Sequence, residues 1–181
     1  MQHTLKNKLF QLLILFLLLL TFNLLLFPSF EYSYAGEKLR IPDIRFSYSP
    51  DEIKLLFNQL GATGRMLYTF QTAVVDMIYP LVYSLFLFML FGVANSNKKQ
   101  TKMIKAIRLM PFGIALFDYL ENFNSLQMLS DFPEITAFSV ATGSLFTSIK
   151  WILVVFTVLI LLAIAVELLL KYVRKRLNML N

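Results

Sequence analysis

Four stretches of the chain are apolar over lengths that suit a bilayer, whose hydrocarbon of about 30 Å needs ~20 residues at 1.5 Å rise each. Residues 9–27 are interrupted only by Gln11, Thr21 and Asn23. Residues 68–93 carry Asp76 and Pro80, and residues 107–129 are diluted by Asp118, Glu121, Asn122 and Asn124. Residues 143–170 are strongly apolar apart from Lys150 and Glu167. The pattern predicts an all-α membrane protein: a single domain over residues 1–181 built as a four-transmembrane-helix bundle.

The connection 28–67 has its own pattern. Ser49-Pro50-Asp51-Glu52 combines an N-cap, a proline in the first turn and a glutamate at capping-box spacing, and Ile53, Leu56, Phe57 and Leu60 follow at i, i+3, i+4 and i+7. A short amphipathic helix over about 50–60, ended by Gly61, is expected to lie on the outer membrane surface or to cap the bundle. Upstream, Phe30 to Ser47, with Tyr32, Tyr34 and Phe46 and with Tyr48 just beyond, reads as an interfacial loop.

Loop charges orient the spans. The connection 94–106 and its flank hold Lys98, Lys99, Lys102, Lys105 and Arg108 without an acid, and the tail 171–181 holds Lys171, Arg174, Lys175 and Arg176. Lys6 and Lys8 precede the first span, whereas acids and bases balance in 28–67 and only Asp131 and Glu134 mark the third connection. The expected arrangement is multi-pass in a cell (inner or plasma) membrane, with both termini cytoplasmic. A competing reading makes residues 1–35 a cleaved signal peptide ending at Ser33-Tyr34-Ala35. The apolar run of 9–27 exceeds the roughly 7–15 residues of such a core, which favours an uncleaved anchor.

Composition narrows the function. Hydrophobic residues make up 57% and charged residues 15%, against about 45–50% and 25% in soluble domains, so an ordinary soluble fold is excluded. With no cysteine, disulfides, thiolate nucleophiles, Cys-ligated zinc and iron–sulfur clusters are excluded, and His3 is the lone imidazole. No cofactor is expected and no metal site is assigned. The net charge of +6 comes from short segments flanking the apolar runs, which serves topology and does not predict a nucleic-acid partner.

Ionisable residues within hydrocarbon cost about 2.5–3.5 kcal/mol each on insertion scales, so they should face the bundle interior and find partners. Measured from the outer helix ends, Asp76 and Glu121 lie about 12 Å deep, Asp118 about 16 Å and Lys150 about 10 Å. Arg65, Tyr68, Thr72, Asp76, Tyr79 and Tyr83 form one stripe at i+3 or i+4 spacing; Asp118, Asn122 and Ser125 form another, with Glu121 beside it. Gly143, Thr147, Lys150 and Thr157 form a third. The first span offers only Asn23 and is expected at the periphery. The candidate ligand-binding or ion-network residues are therefore Arg65, Asp76, Tyr79, Asp118, Glu121, Asn122 and Lys150.

Three chemistries fit this set. Carboxylates and an amide oxygen suit a hard cation. Asp118 and Glu121 could act as an acid/base pair. Lys150 and Arg65 could clamp an anionic headgroup. The charges also nearly cancel, so a buried network fixing helix register accounts for them equally well.

Written as Gly61-x-x-Gly64-Arg65-x-x-Tyr68, Asp76-x-x-Tyr79-Pro80-x-x-Tyr83, Asp118-x-x-Glu121-Asn122 and Lys150-Trp151, the motifs resemble those of a group of small uncharacterised bacterial four-span integral membrane proteins. The resemblance covers about residues 45–155 and implies four membrane helices, with no activity attached. A looser likeness to sterol-isomerase-type four-helix proteins lies at the level of fold, and the histidine some of them use is missing from these spans. The expected function is an integral membrane protein whose polar cluster is structural or binds a lipid or small ligand. The alternatives are a small membrane enzyme acting on a lipid, with Asp118 and Glu121 as catalytic candidates, and a proton- or cation-coupled carrier working as an oligomer. Membrane lipid, a membrane-protein partner or a homo-oligomer are the expected partners.

Overall fold

The structure, a computed structural model of the chain, describes residues 2–30, 32–34, 37–96, 98–99 and 101–178, with backbone alone for 2–5 and 33–34. The His3 side chain, Glu31, Ala35 of the cleavage-like site and residues 179–181 lie outside the described residues. The fold is all-helical apart from one small hairpin. Helix α1 (Gln2–Thr21) passes through a wide π-turn at Phe22–Leu26 into the short α2 (Phe27–Ser29). The hairpin follows, β1 (Ser33–Tyr34) antiparallel to β2 (Glu37–Lys38), then a 3-10 turn at Pro42–Ile44. Helix α3 (Pro50–Phe70) leads through a second π-turn, Gln71–Val75, into α4 (Asp76–Ala94); α5 (Lys102–Asp131) and α6 (Ala137–Leu177) complete the chain.

Among the described residues, three helical stretches are long and apolar enough to cross a membrane: Lys6–Ser29, Pro50–Ala94 and Ala137–Leu177. Their outward faces are apolar, with Phe10, Leu17, Val155, Phe156 and Leu162 exposed. Helix α5 has the length, 30 residues or about 45 Å. It falls below the other three in apolar content because Asp118, Glu121 and the basic residues at its start are spread along it. The expectation of four spans is thus met by three helices on apolarity. Helix α6, at 41 residues and about 60 Å, exceeds the bilayer core about twofold.

The helices pack in the order α1–α4–α5–α6, with α5 between α4 and α6. The first helix stands at the end of this order and packs along α4, where Asn23 Nδ2 donates to Tyr79 Oη at 3.1 Å. Pro80 explains part of the α4–α5 junction. A proline cannot donate to the carbonyl four residues back and crowds that turn, leaving backbone acceptors open. Asn122 Nδ2 donates to the Asp76 carbonyl at 2.8 Å, and Tyr119 Oη to the Met77 carbonyl at 3.0 Å. Asn122 thus takes the place of the bond that Pro80 cannot make to Asp76, and Tyr119, three residues earlier on α5, adds one at the next carbonyl.

The start of α3 carries the full capping box: Ser49 Oγ accepts from Glu52 N, and the Glu52 carboxylate accepts from Ser49 N at 2.7 Å. Its apolar stripe turns inward. Ile53, Leu56 and Phe57 are buried with Tyr32, Tyr68, Met128 and Val140, so this segment caps the bundle. Gly61 takes φ 63°, ψ −176°, a conformation open to glycine, and the chain resumes as helix at once. At the opposite end, Glu167 bridges Lys171 (2.6 Å) and Lys98, tying the basic connection to α6.

Candidate functional site

Three segments bring charge to one place. Lys150, buried on α6, places Nζ 2.6 Å from Glu121 Oε2 and 3.3 Å from Asp118 Oδ1 of α5, and in contact with Asp43 Oδ1 from the Pro42–Ile44 turn. Helical spacing puts Asp118 and Glu121 on one face of α5, one turn apart. Glu121 is 1% exposed and meets no further donor in hydrogen-bonding geometry among the described residues, so it depends on Lys150. Asp118 is held from its other side by Tyr83, whose Oη donates to Oδ2 at 2.9 Å.

Asp43 is the member that sequence reasoning missed. It sits in an irregular loop of balanced charge, where no periodicity marks an inward residue. The loop is pinned across α6 by Tyr48 N donating to Ser144 Oγ (3.0 Å), Ser148 Oγ donating to the Phe46 carbonyl (2.9 Å) and Trp151 Nε1 donating to the Asp43 carbonyl (3.3 Å). Tyr32 and Tyr48, expected at an interface, are buried, and Tyr32 Oη donates to Gln71 Oε1 at 2.8 Å. Burial pushes both phenols above their ordinary range.

The other expected members divide. Arg65 stands apart from the cluster. The break at Gly61 interrupts the helix and leaves carbonyls of its last turn open; Arg65 Nη1 donates to one of them, Phe57 O, at 2.7 Å, and its guanidinium lies 4.3 Å from the Phe132 ring centroid. Asn122 serves the Asp76 backbone, as above. Asp76 and Tyr79 face a cavity of about 650 Å³ bounded by both π-turns, the hairpin loop, α4 and α6. Asp43, Asp118 and Lys150 form part of the same wall. Leu87, Ile114, Val154, Val158 and Leu161 make the remainder apolar. Trp151, the only tryptophan of the chain, also lines it.

This geometry bears on two of the chemistries read from the sequence. Oxygens of Asp43, Asp118 and Glu121 lie within 4.8 Å of one another, a spacing a hard cation could use, but the Lys150 ammonium already sits among them. The expected pairing of Lys150 with Arg65 as an anion clamp is not assembled, since Arg65 lies elsewhere and Lys150 is engaged by three carboxylates.

Gly143 permits the close approach of the loop to α6. A methyl group on it would lie 2.5 Å from Tyr48 Oη and collide with Asn124 Oδ1, both buried. Gly143→Ala is expected to destabilise the protein by about 1–3 kcal/mol through overpacking, read as a lowered melting temperature in detergent. No family model, no curated protein and no solved structure matches this chain.

Proposed function

We propose that this chain is a four-span membrane protein, both termini cytoplasmic in a cell membrane, whose cavity holds a membrane amphiphile. The Lys150 network acts as the structural clamp beside it. The observation that carries the reading is the cavity itself: polar and aromatic groups (Asp76, Asp118, Tyr79, Tyr83) on α4 and α5, and an aliphatic wall (Leu87, Val154, Val158, Leu161) further along α4 and α6. An amphiphile has that same division, and pockets of roughly 300–1,000 Å³ suit ligands of lipid-chain or drug size. In this reading α5 crosses as the fourth helix because its midway acids are paired with Lys150 and turned inward. Both π-turns border the cavity through Asn23 and Gln71, and such turns are frequent at functional sites. A binding role is favoured over acid/base catalysis because Asp118 and Glu121 share one ammonium partner.

Trp151 reports on occupancy. Purified protein in zwitterionic detergent, titrated with dibrominated C18 amphiphiles bearing alcohol, amine or carboxylate heads, should show saturable, stoichiometric quenching of Trp151 by at least one of them. Val154→Phe, which fills the cavity, should abolish the saturable phase while keeping the wild-type melting temperature. Only linear quenching, unchanged by Val154→Phe, would rule the binding role out.

A further inference from the structure

Given the amphiphile reading, on which this step rests, we infer that the head of the ligand is an ammonium group, seated on Asp76 against the rings of Tyr79 and Tyr83. Asp76 is 7% exposed and lines the cavity. Its side chain has one partner among the described residues, Gln71 Nε2 at 3.4 Å from Oδ2, and no cation within ion-pairing distance. The nearby Lys150 is committed to Asp43, Asp118 and Glu121. The acids in and behind the cavity wall, Asp43, Asp76, Asp118 and Glu121, outnumber the bases, Lys38 and Lys150. A buried carboxylate without a counter-ion is costly, and a ligand that brings a positive charge removes that cost.

The surroundings of Asp76 suit an ammonium group in particular. Tyr79 and Tyr83 follow it at i+3 and i+7, on the same face of α4. Their rings meet at 5.3 Å and 70°, and Phe27 closes on Tyr79 edge-on at 4.9 Å. Aromatic faces beside a carboxylate are how proteins hold alkylammonium groups, the ring quadrupole adding to the ion pair. Deeper on α6, Thr157 also lines the cavity, and its buried hydroxyl has no hydrogen-bond partner among the described residues. That unpartnered hydroxyl is independent of the acids. An anionic head would meet the acidic excess, and a neutral alcohol would leave Asp76 uncompensated.

The test uses the same three brominated C18 probes on the full-length protein. Half-maximal quenching of Trp151 is expected at an amine concentration at least about tenfold below that of the alcohol, with the carboxylate weakest. Asp76→Asn should bring the amine to the level of the alcohol and leave alcohol binding unchanged, its melting temperature showing that it is folded. Tyr79→Leu should reduce the amine preference in part. Equal quenching by amine and alcohol, or a preference for the carboxylate, overturns the ammonium assignment while leaving an amphiphile site in place. Absence of saturable quenching by all three overturns both.

Discussion

Lys150→Met is expected to cost about 3–5 kcal/mol, because it leaves buried carboxylates without the cation they share. Methionine keeps the unbranched apolar stem and gives up the ammonium, so the loss reports charge and not volume. Glu121 decides the size of the effect: at 1% exposure it has no solvent to fall back on and, among the described residues, no other donor in hydrogen-bonding geometry. Asp118 retains Tyr83, and Asp43 sits at the looser edge of the cluster, so each loses less. The cost is that of an unpaired charge, which predicts its own cure. Neutralising the acids in the same background, as Lys150→Met/Asp118→Asn/Glu121→Gln, should recover most of the lost stability, since amides of the same shape need no counter-ion. Unfolding in detergent, followed by melting temperature, measures all of these. If Lys150→Met melts with the wild type, the carboxylates do not depend on it and the clamp is wrongly assigned.

The helices were legible because length times rise is a nearly sufficient argument in a bilayer, and the Ser49–Glu52 capping box because it is a local pattern. Asp118, Glu121 and Lys150 were legible as partners for a different reason: charges in apolar helices have few ways to be accommodated. Asp43 was not, since what brings it in is the return of a loop across α6, a contact 107 residues apart along the chain. Arg65 misled because a stripe from Arg65 to Tyr83 assumes one straight helix. The π-turn at Gln71–Val75 changes the register, and the Gly61 break supplies a nearer acceptor. Pro80 was legible as an irregularity, but its compensation by Asn122 and Tyr119 required knowing that α5 is the neighbour of α4. The cavity belongs to this second class, being the space between elements distant in the chain.

Phe57→Ala should cost about 3–5 kcal/mol, the transfer free energy of a buried ring plus the void it leaves. Phe57 is fully buried, its ring 6.1 Å from that of Phe132 and 6.4 Å from that of Tyr68. Its neighbours cannot close the void cheaply: Tyr68 continues the same chain beyond the Gly61 break, Met128 and Phe132 end α5, and Val140 begins α6. The Phe57 carbonyl also accepts from Arg65, a bond that ties the two halves of α3 across the Gly61 break. Leu55 supplies the contrast, being on the same helix but 59% exposed, on the face turned away from the bundle. Leu55→Ala is expected to change stability by no more than about 0.5 kcal/mol. Melting the two variants beside wild type separates the two roles open to this segment. A large loss at Phe57 with none at Leu55 makes it a lid held by its inward face; the reverse ranking would mean that the outward face, against the lipid surface, holds it instead.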